Sequence, residues 1–377
     1  MIINKVKNTE ELKNKNISDR NYGIDLLRLF SMLMVVCLHV QGHGGILYAA
    51  TGNNYKIAWF IEICAYCAVN CYAIISGYVN YNEKEKPFRY SKYLKFWVQV
   101  VFYSFGITLV AFLLKRYDIS AKDLILSLFP VTSSSYWYVS AYTGLFFLIP
   151  WLNKMIRACT KKEAQIINTV IITVYSLYST LASPLSDTFK LGGGYSVIWL
   201  IIMYILGACI KKCDLTSHFK SRYAFLILAL SVLLTYTLKM LFLKTKFEDV
   251  LINYTSITIV LIAFSLVVLF SKIKTNNFSN KVISFFSPAA FGVYLIHEQY
   301  LVRAKLVGSF VAYAELPAWE LPLKILLSAF AIFAVCLIIE KIRLLAFKYL
   351  GIDALISFLS KKIDSLFDIL SNKLLSN

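Results

Sequence analysis

Residues 24–44 read IDLLRLFSMLMVVCLHVQGHG, an apolar stretch whose only formal charges are Asp25 and Arg28. At 1.5 Å per residue, a helix of this length rises about 30 Å, the depth of a bilayer's hydrocarbon core. Comparable runs recur along nearly the whole chain. Hydropathy and flanking charge place ten spans, at about 24–44, 56–79, 94–114, 136–157, 165–183, 195–211, 223–243, 250–270, 289–308 and 322–345. The ninth is the weakest: Ser287-Pro288 opens it, and His297, Glu298, Arg303 and Lys305 interrupt it, as in a partly re-entrant segment. The expected fold is an all-α polytopic bundle, with residues 23–348 as one transmembrane domain.

Composition points the same way. Of 377 residues, 58% are hydrophobic and 16% charged, against roughly 25% charged in an average soluble domain. The 39 Lys and Arg exceed the 21 Asp and Glu by 18. In so apolar a chain this excess marks membrane-flanking loops rather than a nucleic-acid face. Lys5, Lys7, Lys13, Lys15 and Arg20 precede the first span, and Lys84, Lys86, Arg89, Lys92 and Lys95 follow the second. Lys154, Arg157, Lys161 and Lys162 follow the fourth, and Lys211, Lys212, Lys220 and Arg222 the sixth. Lys272, Lys274 and Lys281 follow the eighth, and Lys341, Arg343 and Lys348 the tenth. The opposite loops hold mainly Lys115, Arg116, Lys122, Lys190, Lys244 and Lys246.

By the positive-inside rule both termini are cytoplasmic, including an N-terminal segment 1–22. No small-residue cleavage site follows the first apolar run, which is expected to be retained as a span. In residues 349–377, Ile352, Leu355, Leu359, Ile363, Leu366, Leu370 and Leu374 recur every three or four positions, between Lys361, Lys362, Asp364, Asp368 and Lys373. This is the pattern of an amphipathic helix on the cytoplasmic surface.

Ionisable residues inside a span are costly and read as functional. The first span carries Asp25, Arg28 and His39. At about 100° per residue, the step from Arg28 to His39 returns to within roughly 20° of the same face, and Asp25 shares it. His39 lies about 24 Å along the helix from Gly23, in the outer half. His43 continues the stripe toward the outer mouth, beside Gly42, Gly44 and Gly45. An imidazole near neutrality serves as a general base or a nucleophile. The bland alternatives are an interhelical hydrogen bond for each His and a rim ion pair for Asp25 with Arg28.

Four separated motifs carry a resemblance. The first is Arg28 followed eleven positions later by His39, and the second is Ile74-Ile75-Ser76-Gly77-Tyr78, with the basic stretch Arg89 to Lys95 behind it. The third runs from Tyr136-Trp137-Tyr138 through Tyr142-Thr143-Gly144-Leu145 to Pro150-Trp151-Leu152-Asn153, and the fourth is Phe291-Gly292-Val293-Tyr294-Leu295-Ile296-His297. In this order they resemble the acyltransferase-3 family of membrane acyltransferases, whose span count is also ten. One departure is Arg89-Tyr90-Ser91-Lys92, where the family often has a double Arg; Lys binds phosphate as a point charge, without a planar fork.

The resemblance implies transfer of an acyl group, usually acetyl, from coenzyme A to a hydroxyl of a surface or secreted polysaccharide or its lipid-linked precursor. His39 would deprotonate the acceptor or carry the acyl group itself. Arg28 would line the donor cavity with Asp25 orienting it, and Arg89, Lys92 and Lys95 would hold the phosphates of acetyl-CoA, unless they are topological anchors alone. His43, Trp137, Tyr138, Tyr142, His297 and Glu298 are expected to line the acceptor site, the aromatics as a sugar-stacking platform or as an interfacial belt. Expected partners are a carbohydrate acceptor, acyl-CoA and the lipid bilayer, with no nucleic acid. Homo-oligomerisation stays open. The Lys, Ile, Asn and Tyr richness suggests a bacterial plasma membrane.

The rival reading is a glycan or small-anion exporter whose permeation path the same stripe lines, but no paired broken helices occur in matching halves. A membrane sensor would need a soluble output domain. Glu62 and Asn70 read as interhelical contacts, and Gly192-Gly193-Gly194 as a flexible link. The eight cysteines lie mostly in apolar runs and suggest no disulfide framework. Cys64, Cys67 and Cys71 lack a His or Asp to complete a ligand set, so no metal is expected.

Overall fold

Asn21 begins the first helix, α1 (Tyr22–Gln41). Its side-chain Oδ1 accepts the Ile24 N–H at 3.1 Å, and its Nδ2 donates to the Ser271 carbonyl at 2.8 Å. The cap thus starts one helix and ties it to the end of another. The computed structural model describes residues 20–85, 88–115, 117–133 and 135–375, helical throughout with no strand. The N-terminal segment as far as residue 19, Lys86, Arg116 and the side chains of Asp368, Leu370, Lys373 and Leu374 lie outside the described residues.

The remaining principal helices are α2 (Gly52–Ala65), α3 (Ala68–Asn80), α4 (Lys92–Leu113), α5 (Trp137–Ala158), α6 (Lys161–Ala182), α7 (Val197–Lys212) and α8 (Ser221–Leu241). They continue with α9 (Ile257–Ser271), α10 (Ala290–His297), α11 (Tyr300–Leu306), α12 (Leu321–Tyr349) and α13 (Ile352–Leu375). Among the described residues, six segments are long and apolar enough to cross a membrane: α1, α2 with α3, α4, α6, α8 and α12. The apolar windows of α1 and of α2 with α3 are 67% and 61% buried against 28% for α4, α6, α8 and α12, so these two segments form the middle of the bundle.

Several expected spans differ in detail. The second is interrupted at Tyr66-Cys67, the fifth passes through a π-helical stretch at Ile171–Tyr178, and the eighth is helical only from Ile257. The ninth is two short helices, α10 and α11, separated at Glu298-Gln299. Inside an apolar bundle such a break must satisfy its own backbone. Gln299 does so: its Oε1 accepts the Leu301 and Val302 N–H groups at 2.7 and 3.3 Å, and its Nε2 donates to Thr108 Oγ1 of α4 at 3.2 Å.

Three other expectations are corrected. Arg343, counted among the flanking cations, is 7% exposed and ion-paired inside α12. Lys212 is likewise 8% exposed, with its Nζ donating to the Arg157 carbonyl at 3.3 Å and facing Glu83 at 3.4 Å. Gly192–Gly194 is a tight turn rather than a slack link, because all three residues have positive φ and a Cβ on Gly194 would stand 2.4 Å from Tyr254.

Helices α3 and α7 cross at glycines. A Cβ on Gly77 would sit 1.9 Å from the Tyr204 carbonyl oxygen, and one on Gly207 would sit 2.0 Å from that of Ile74. Only a missing side chain lets the two backbones approach this closely. Gly77→Ala is therefore expected to cost about 1–3 kcal/mol, read as a lower unfolding midpoint in lipid discs. An unchanged midpoint would contradict this account of the crossing.

The C-terminal helix α13 returns to the start of α4. Asp364 accepts from Ser91 Oγ at 2.8 Å and from the Ser91 N–H at 3.3 Å, and Phe367 stacks on Tyr90 at 4.7 Å.

Candidate active site

Asp25, Arg28 and His39 all lie on α1, whereas His43, expected to continue their stripe on the same helix, follows in the turn after Gln41. Asp25 accepts from Arg28 Nη1 at 3.0 Å and from Arg20 Nε at 2.6 Å, so one carboxylate sits between two guanidinium groups and the cluster keeps a net positive charge. Arg28 lines a cavity of about 270 Å³ together with Tyr72, Ser76, Asn80, Tyr138 and Tyr142. Ser76 comes from the Ser-Gly-Tyr motif ending the second span. Tyr72 donates to the Arg28 carbonyl at 2.9 Å and fixes this turn of α1 against α3.

A second, narrower cavity of about 40 Å³ lies further along α1, lined by His39, Trp137, Tyr138, Tyr254 and Tyr294. Tyr72, Tyr138 and Phe291 border both cavities, so the Arg28 and His39 chambers share a wall. Tyr138 and Tyr142 present parallel rings, 10° apart at 6.3 Å.

His39 is held from α10. His297 Nδ1 lies 2.6 Å from the Val293 carbonyl, which can only accept, so that nitrogen carries the proton. In neutral His297 the Nε2 lone pair then accepts from His39 Nδ1 at 2.9 Å. With Nδ1 as donor, His39 Nε2 is left as the free basic nitrogen, on a ring that lines the cavity.

Glu298 completes the arrangement. Its Oε1 accepts from Arg303 Nη1 at 2.7 Å. Its Oε2 is 3.1 Å from His39 Nδ1 and 3.5 Å from His43 Nε2, yet has no hydrogen-bond partner among the described residues. A buried carboxylate oxygen beside two imidazoles is placed to stabilise positive charge when either ring gains a proton.

The sequence motifs explain how these groups are positioned. Tyr136, at the head of α5, donates to the Leu295 carbonyl of α10 at 3.0 Å. Gly292 lets α10 lie against Glu340 of α12, where a Cβ would stand 2.4 Å from that side chain. Glu340 is fully buried and accepts from Gln99 at 3.0 Å, Tyr103 at 2.5 Å and both Arg343 Nε and Nη2, at 2.9 and 2.5 Å. This network backs the helix that carries His297.

A model of the acyltransferase-3 family, described as an acyltransferase domain, matches residues 21–341. The chain belongs to the acyltransferase-3 family. The match begins at the α1 cap and ends in α12, enclosing every element that contributes to the two cavities. No curated protein and no solved structure matches the chain. It is a membrane acyltransferase in general class, built on an all-helical multi-pass bundle.

Of the expected site residues, His39, His43, His297 and Glu298 come together in one cluster, and Arg28 with Tyr138 and Tyr142 lines the adjoining chamber. Trp137 lines the His39 cavity. Arg89, Lys92 and Lys95 are exposed near the start of α4 and line neither chamber. Glu62 and Asn70 make interhelical contacts, Glu62 with Gln41 at 2.9 Å and Asn70 with Trp199 and the Tyr254 carbonyl at 2.9 and 2.7 Å. The sequence reading missed the Tyr294 hydroxyl, buried without a hydrogen-bond partner among the described residues and lining the His39 cavity. Its position in the Phe-Gly-x-Tyr-Leu-x-His motif was the available signal.

Proposed function

We propose that this acyltransferase moves an acetyl group from acetyl-CoA to a hydroxyl of a surface or secreted polysaccharide, or of its lipid-linked precursor. The observation that carries the reading is the His39 tautomer: a fixed Nδ1 donor leaves Nε2 as a base in an aromatic chamber beside a cationic one.

In the proposed reaction, His39 Nε2 takes the acceptor hydroxyl proton as the oxygen attacks the thioester carbon. Glu298 Oε2 stabilises the resulting imidazolium. The Tyr294 hydroxyl, without a hydrogen-bond partner among the described residues, donates to the carbonyl oxygen as it gains charge. Collapse breaks the carbon–sulfur bond, and the imidazolium returns its proton to the departing thiolate, leaving free coenzyme A and an ester. The parallel rings of Tyr138 and Tyr142 offer a platform for a pyranose face, with Trp137 beside Tyr138 in the wall of the His39 cavity.

The same proposal extends to topology: ten spans, both termini cytoplasmic, residues 23–348 as the catalytic domain and 349–377 as an interfacial helix, in a bacterial plasma membrane. Donor then enters from the side of Arg89, Lys92 and Lys95, and its thioester passes Arg28 toward His39, about 16 Å away along α1. The reaction itself calls on no metal.

An O-acetyl ester on the glycan, formed from labelled acetyl-CoA by purified protein in lipid discs, tests the reaction. Its absence with folded protein and matched acceptor would refute it. Replacing Arg89, Lys92 and Lys95 together by Gln is expected to raise the acetyl-CoA KM about tenfold at unchanged kcat, most clearly at low salt. A donor KM equal to wild type would assign these cations to topology alone.

A further inference from the structure

We propose that His39 Nδ1, His43 Nε2 and Glu298 Oε2 form a Zn²⁺ site whose occupation silences His39 as a base. The site's existence rests on geometry alone; its effect on turnover rests on the function proposed above.

Three observations carry it. The three ligand atoms all lie within 4.8 Å of one another. Glu298 Oε2 is 3.1 Å from His39 Nδ1 and 3.5 Å from His43 Nε2. Zinc with bonds of about 2.0–2.1 Å in tetrahedral geometry needs ligand separations of about 3.3 Å, so both edges at Glu298 already fit. The third edge closes by rotation of His43, whose side chain is 35% exposed.

The second observation is the state of Glu298. The residue is 6% exposed, Oε1 is held by Arg303, and Oε2 has no hydrogen-bond partner among the described residues. A buried anionic oxygen aimed between two imidazoles is a position a cation would satisfy.

The third is ligand chemistry. Two imidazoles and one carboxylate suit zinc better than calcium or magnesium, which favour all-oxygen shells. Arg303 on Oε1 supplies the orienting contact that metal-bound carboxylates usually have.

Binding through Nδ1 reverses the His39 tautomer. Its proton moves to Nε2, the His297 hydrogen bond is given up, and Nε2 can no longer accept a proton. The fourth zinc position is left to water. No group is oxidised or reduced, and the metal leaves on chelation.

The test uses full-length protein in lipid discs. Equilibrium dialysis against zinc chloride, with metal measured by elemental analysis, is expected to give one Zn²⁺ per chain. Glu298→Gln and His43→Gln should each weaken binding by about tenfold or more. His218→Gln, at an exposed histidine far along the chain, should not. Two ligand variants are used because Glu298 also anchors Arg303, whereas the half-exposed His43 is less embedded; both are checked for a native elution profile.

Release of coenzyme A should fall in proportion to zinc occupancy and return with chelator. Wild-type binding that His43→Gln and Glu298→Gln leave unchanged would overturn the site. Full turnover at saturating zinc would overturn the silencing. One zinc bound through these residues in a protein that transfers no acyl group would uphold the site and count against the proposed function alone.

Discussion

His39→Gln is expected to lower kcat for acyl transfer by about 10²- to 10⁴-fold, the usual contribution of a positioned base. Donor affinity should stay near wild type, because the Arg28 chamber lies elsewhere on the same helix. Gln preserves a donor toward His297 Nε2 and similar bulk, so the hydrogen bond that spans 258 residues of sequence is kept while proton acceptance is lost. A structural His would tolerate the change. The measurement is steady-state kinetics beside acetyl-CoA binding on the same preparation. Near-normal acetylation of the target glycan in cells bearing well-expressed His39→Gln would contradict the assignment.

Glu340→Ala should have the largest effect on stability. Glu340 is 0% exposed and Arg343 7%, so removing the carboxylate leaves a guanidinium and the Tyr103 and Gln99 side chains without their shared acceptor. Breaking a buried pair by deleting one partner typically costs about 3–5 kcal/mol. Gly292 packs directly on Glu340, so α10 loses its backing and His297 its position. Thermal unfolding in lipid discs is the readout, with Glu340→Gln expected to lose less than Glu340→Ala because its amide oxygen still accepts. Wild-type stability in Glu340→Ala would show that the network is dispensable.

Much of the fold was legible because the bilayer imposes a coarse rule: apolar runs of sufficient length become helices. The stripe on α1 was legible for a similar reason, since helical periodicity alone puts Asp25, Arg28 and His39 on one face, whereas His43 lies in the turn just beyond Gln41. What that face meets was not. His39 meets His297 across the packing of α10 on α1, with Gly292 seating α10 on α12 and Tyr136 tying it to α5, and no local pattern reports such contacts. The proton's place on His39 Nδ1 depends on the Val293 carbonyl, a backbone atom with no sequence signature.

Arg343 was misread for a complementary reason. A cation near the end of an apolar run looks like a flanking charge unless its partner is seen, and that partner, Glu340, lies three residues earlier within the same helix. The i,i+3 spacing was visible in the chain. The burial that makes it structural was not, because Gln99 and Tyr103 arrive from α4. Gly194 shows the same limit: three glycines suggest freedom, whereas the turn's positive φ angles and its packing on Tyr254 demand them.

The central claim is that His39 is the base of an acyl-CoA-dependent transfer. Its most direct measurement is release of free coenzyme A from acetyl-CoA by purified protein in lipid discs, wild type beside His39→Ala, with and without a glycan acceptor. The account predicts acceptor-stimulated release that vanishes in His39→Ala. Equal release by both proteins, or none from folded wild type with any acceptor, would contradict it and turn attention to transport through the same chambers.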